Sequence, residues 1–98
     1  MSTFLKSIVE YIGTFIFLSV ILKFVKDNVK WGAFPIVLTL LGVIFWGGSI
    51  SGGHFNPAVT TMFFLDNNID LITTIYYIIA QLLGAYSALL FYQITSKN

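Results

Sequence analysis

The 98 residues hold at most one domain. They are 57% hydrophobic, 17% aromatic and 9% charged, against roughly 45–50% apolar and about 25% charged in an ordinary soluble domain. Five lysines and four acids are too few to solvate a globule of this size, and the mean hydropathy of +0.89 places the chain in a bilayer. A net charge of +1 excludes a basic nucleic-acid footprint. The lack of cysteine excludes disulfides and thiolate chemistry. One histidine with four acids leaves little for a metal cage, so neither enzymatic chemistry nor a cofactor is expected.

A bilayer core about 30 Å thick is spanned by ~20 mostly apolar residues. The first candidate runs from Phe4 to Leu22, interrupted by Lys6 and Glu10. With one lysine before it and no small-residue cleavage site after it, it reads as a span rather than a secretory signal. A polar connector, Lys23 to Lys30, leads to Trp31, an interfacial aromatic. The second span covers 33–48, with Pro35 in its first turn, where a missing N–H costs little. The stretch Ser49-Ile-Ser-Gly-Gly-His-Phe-Asn-Pro-Ala58 is too polar and glycine-rich to span. Asp66-Asn-Asn-Ile-Asp70 is a turn, and 71–94 is the third span.

Between the loop and that turn lies a short apolar run, Pro57 to Leu65. Asn56-Pro57 is a good helix start, because Asn caps well and Pro suits the first helical position. Nine helical residues reach ~13 Å, about half the hydrocarbon thickness. Such a segment is either re-entrant, with its irregular backbone lining a polar cavity, or a surface helix after an interfacial loop. The residues alone leave both open.

Ser51-Gly-Gly-His-Phe-Asn-Pro-Ala-Val-Thr60 resembles the first signature loop of the aquaporin and aquaglyceroporin (major intrinsic protein) family. Glu10-Tyr-Ile-Gly-Thr-Phe15 is similar to that family's first-helix Glu-x-x-Gly-Thr-Phe. Ala80-Gln-Leu-Leu-Gly-Ala85 is similar to its third-helix Ala-Gln-x-x-Gly-Ala. The three motifs stand in the family's order. They cover nearly the whole chain but only the first of the family's two inverted repeats. The resemblance implies an all-α half-channel over 1–98: three transmembrane helices and one re-entrant half-helix, with the re-entrant loop and half-helix at about 51–65.

It further implies a passive conductor of water or a small uncharged solute such as glycerol. The pore would form from two inverted copies, which by resemblance would group as tetramers of pores, or from this chain and a complementary half-channel. The alternative is a non-conducting paralogue that assembles with a full-length channel. By resemblance Asn56, Pro57 and Ala58 place an amide donor at the pore midplane, in front of a helix N-terminus with partial positive charge. Gly52, Gly53 and His54 would supply carbonyls along the path, while the His54 side chain reads equally as pore-lining or structural. Glu10 would brace the loop, since a charge inside a span faces a partner or a cavity. Gly13 lies on its face; Gln81, Gly84, Ala85 and Ala88 form a helix-packing stripe, because small residues let helices approach.

Val59 follows Asn-Pro-Ala where the family's second repeat carries arginine. With two copies of this chain, each mouth would hold Ile36 from one and Ile44, Gly53 and Val59 from the other, an apolar set. The family orientation puts the N-terminus in the cytoplasm. The lysines oppose it, with Lys6 at that end against Lys23, Lys26, Lys30 and Lys97 at the other.

Overall fold

The computed structural model describes residues 1–96, so Lys97 lies outside the described residues. Four helices follow in order: α1 (Thr3–Lys26), α2 (Ala33–Ser51), α3 (Pro57–Leu65) and α4 (Leu71–Thr95). The described residues are helical apart from turns, caps and the 52–56 loop. The fold is thus all-α, with three helices long and apolar enough to cross a membrane and one short helix, the architecture of half an aquaporin.

Three of the four helices begin at a side-chain cap, while α2 starts after Gly32 without one. Ser2 accepts from the Leu5 N–H at 3.2 Å, Asn56 from the Ala58 N–H at 2.8 Å and Asp70 from the Thr73 N–H at 2.8 Å. Two helices run past the ends read from hydropathy. α1 continues one turn to Lys26, because Lys23 pairs with Asp27 at 2.6 Å and charged side chains of this length reach out of an apolar segment. Lys23 first, and then the Tyr92 hydroxyl at 3.0 Å, hold the Asp27 carboxyl below its usual range. α2 continues through Ser49 and Ser51, because the Ser51 hydroxyl finds a partner on α1. Gly52, at a φ of 96°, then ends it and bonds back to the Gly48 carbonyl.

α1 is the hub: α4 packs along it, α2 packs on its other side, and α3 leans on α4. Contacts between α1 and α4 climb together, from Glu10–Gln81 through Phe15–Phe91 to Asp27–Tyr92, so the two helices are parallel. Gly84 lets them approach closely, since a Cβ there would lie 3.0 Å from the Tyr11 carbonyl oxygen. Lys6 therefore lies at one end of the bundle, and Lys23, Lys26 and Lys30 at the other.

The packing is inverted relative to a water-soluble protein. Buried positions include Ser7, Glu10, Thr14, Ser51, His54, Thr60, Thr74 and Gln81, while Phe45 is 79% exposed and Phe34, Val37 and Leu38 each 63%. An apolar exterior around a polar interior is stable only in lipid. The protein is an integral, multi-pass membrane protein.

Candidate functional site

The site begins with a carboxylate that α1 buries completely. Glu10 Oε2 accepts from the Ser51 hydroxyl at 2.7 Å and the His54 N–H at 3.0 Å. Its Oε1 accepts from the Phe55 N–H at 2.7 Å and Gln81 Nε2 at 2.9 Å. One side chain thereby ties the end of α2, the loop and α4 to α1. It also satisfies two backbone N–H groups that no helix could reach, each of which would be costly unpaired in hydrocarbon.

The network continues outward. A carboxylate only accepts, so the Gln81 atom facing it is the amide nitrogen, and that nitrogen also donates to Thr60 Oγ1 at 2.8 Å. The Thr60 hydroxyl also shares a hydrogen bond with His54 Nδ1, 2.8 Å away. The imidazole is buried, stacked on Phe63 with centroids 4.9 Å apart and set edge-on to Tyr77 at 5.2 Å. Tyr77 in turn donates to the Ser51 carbonyl at 2.6 Å.

Below the loop, Phe55 is a plug. Its backbone is left-handed at a φ of 52°, and its ring is 3% exposed. A Cβ on Gly13 would lie 2.1 Å from that ring, and one on Gly47 would lie 3.0 Å from it. Gly13, on the Glu10 face of α1, makes room for the loop's phenyl ring.

The loop's other side is open. Asn56 is exposed; its Oδ1 caps α3, and among the described residues its Nδ2 donates to nothing. Gly52 is exposed and Gly53 half-buried, and within the described residues the carbonyls of Gly52, Gly53 and His54 accept no hydrogen bond. Thr60 stands level with Glu10 and Gln81, and α3 runs opposite to α4. The α3 N-terminus therefore lies about one turn, ~6 Å, deeper, near the middle of α1.

Pro57 is the first residue of α3 and half-buried, as is Val59, while Ala58 is exposed. Ile44 lies against the loop, its Cα 3.6 Å from where a Gly53 Cβ would be. Ile36 is not brought to this group, being two turns away along α2, ~12 Å. On α4, Gln81, Gly84 and Ala88 are buried, and Ala85 sits half-buried at the stripe's border.

Sequence reasoning missed Ser51, Phe55, Thr60 and Tyr77 as members of the network. A signal existed for three of them. Thr60 is four residues after Asn56, Tyr77 is four before Gln81, and Ser51 follows an apolar span, so each is a polar group repeated on a face already marked as inward. Nothing local marked Phe55, whose partners lie on two other helices.

A family model for the major intrinsic proteins matches residues 1–98. The chain belongs to that family. A glycerol uptake facilitator protein-like 6 of Lactiplantibacillus plantarum is 42% identical over 88 residues, covering 85% of this chain and 40% of the relative. An aquaporin-5 of Sus scrofa is 35% identical over 92 residues, covering 84% and 34%. An aquaporin TIP1-2 of Musa acuminata reaches 61% over 44 residues, 45% of this chain and 18% of that one. The chain thus spans less than half the length of these curated relatives. No solved structure matches it significantly. Major intrinsic proteins are not enzymes, and among the described residues no group of His, Cys, Asp or Glu could hold a metal.

Proposed function

We propose that this major intrinsic protein is the half-unit of a passive channel for water and small uncharged solutes such as glycerol, with a pore made by two copies inserted in opposite directions. One observation carries the reading. The unbonded carbonyls of Gly52 and Gly53 and the free amide of Asn56 lie at mid-depth on a side of the bundle that the chain leaves open. In hydrocarbon those groups need either a partner or water. An inverted second copy would set two ~13 Å half-helices end to end across a ~30 Å core. Water in the remaining gap would meet carbonyl acceptors along the path and two Asn56 donors at the centre. The two helix N-termini would face each other there and repel cations.

In this reading Glu10 fixes the loop through the His54 and Phe55 N–H groups, which turns the carbonyls of the same peptide planes, those of Gly53 and His54, away from Glu10 and toward the path. The His54 ring stays structural, because it is buried against Phe63 and Tyr77. The test is osmotic swelling of proteoliposomes holding this chain alone. Water and glycerol permeability well above empty vesicles is expected. Permeability at the empty-vesicle level would overturn the self-paired pore and favour assembly with a full-length channel.

A further inference from the structure

At the end of the bundle away from the α3 C-terminus, the α1–α2 turn borders an open hollow of about 400 Å³. Phe24, Asn28, Lys30, Gly32 and Ile36 are among its lining residues. Phe24 is fourteen residues after Glu10, which returns it to within about 40° of the same face of α1. Ile36 is eleven residues before Gly47, within about 20° of the same face of α2. Those two faces enclose the loop's Phe55 ring, so Phe24 and Ile36 set the hollow's inner wall toward the loop's side of the bundle, while Val25 and Val29 form its exposed outer wall. Its lining is apolar apart from Asn28 and Lys30. The neighbouring lysines are engaged elsewhere, Lys23 with Asp27 and Lys26 over the Tyr92 ring at 5.1 Å. Lys30 is held at the rim by Trp31, with its ammonium 5.6 Å from the ring centroid.

We propose that Lys30 is a specificity residue that sets a positive potential at each mouth of the pore, favouring neutral and anionic over cationic solutes at entry. The inference rests on the paired-pore reading above. In an inverted pair each mouth receives Lys30 and Ile36 from one copy, opposite Ile44, Gly53 and Val59 of the other. The side chain at position 59 supplies no charge to the mouth, and the α1–α2 turn of the facing copy does.

The chain has no cysteine, so Ile36→Cys places a single thiol in the hollow. In proteoliposomes that thiol is reacted with methanethiosulfonates carrying either a sulfonate or a trimethylammonium group. The ratio of the two rates reads the local potential, and water flux is measured before and after labelling. Lys30→Glu in this background is expected to lower the sulfonate-to-ammonium ratio about tenfold at low ionic strength, a difference that collapses near 1 M salt. Labelling is expected to cut water flux by at least half. Flux that persists after complete labelling, or a ratio indifferent to Lys30→Glu, would overturn the assignment while leaving the pore intact. Absence of flux from the unlabelled protein would overturn the pore reading, and the assignment with it.

Discussion

A buried carboxylate that accepts four hydrogen bonds can be replaced at very different costs, depending on which donors are stranded. In Glu10→Gln the amide oxygen can keep Phe55 N–H and Gln81. The new NH₂ then faces Ser51 Oγ, which can accept it, and the His54 N–H, which cannot. One backbone donor is lost, about 1–3 kcal/mol. Glu10→Leu strands both backbone N–H groups, and leaves Gln81 Nε2 only Thr60 and the Ser51 hydroxyl only the Gly47 carbonyl at 3.4 Å. The expectation is a lowered thermal midpoint in detergent for Glu10→Gln and a collapse of yield for Glu10→Leu; equal behaviour would mean the carboxylate does not hold the loop. Phe55 gives a second test at this scale. A methyl at residue 13 overlaps the phenyl ring outright, so Gly13→Ala should destabilise by about 1–3 kcal/mol, the range for overpacking. Phe55→Leu in the same chain should recover part of that loss, measured by the same thermal assay. Additive losses would show that the two sites do not share one space.

At the scale of elements, α3 was legible and its supports were less so. The Asn56-Pro57 start, the nine-residue length and the Asp66–Asp70 turn are local signals, and the helix occupies those residues. The three spans follow from composition alone, as hydropathy integrates over many residues. Their ends do not, because the last turn of α1 is held by Tyr92 as well as by the local Lys23–Asp27 pair, and Ser51 stays helical through Glu10, contacts that are in part remote in sequence. The same holds for the Phe55 plug, which depends on two glycines 42 and 8 residues away. Two variants probe α3 as an element. Asn56→Asp keeps the cap to Ala58 N–H and adds a charge that the helix N-terminus favours, so folding should be unaffected. It removes the free amide donor, so neutral flux should fall or cations leak; unchanged water flux and cation exclusion in liposomes would take Asn56 out of the path. Val59→Arg should narrow the mouth and reduce glycerol flux more than water flux. A wild type that passes water but already excludes glycerol would refute the wide mouth.

For the whole molecule, the proposed pore turns on how two copies would be related. Helices α1 and α4 are parallel, so the chain leaves the bundle on the side opposite its start. A second copy fused directly after Asn98 therefore begins on that far side and inserts inverted. An unrelated single-span spacer between the copies would make them parallel instead. Lysine distribution makes this comparison severe. Lys23, Lys26 and Lys30 lie at one end of each copy, so the direct fusion has one lysine-rich end on each face and no net bias. The spacer fusion gathers both lysine-rich ends on one face, the arrangement that the positive-inside rule prefers. Membrane insertion thus favours the spacer version, while the paired half-helices favour the direct one. Two α3 N-termini can meet at mid-depth only from opposite faces; parallel copies would leave two sets of polar groups on the same side of the core. The direct fusion is expected to conduct water and glycerol and the spacer fusion to be silent at matched membrane levels, with stopped-flow light scattering as the measurement. Conduction by the spacer fusion alone would reject the inverted pair.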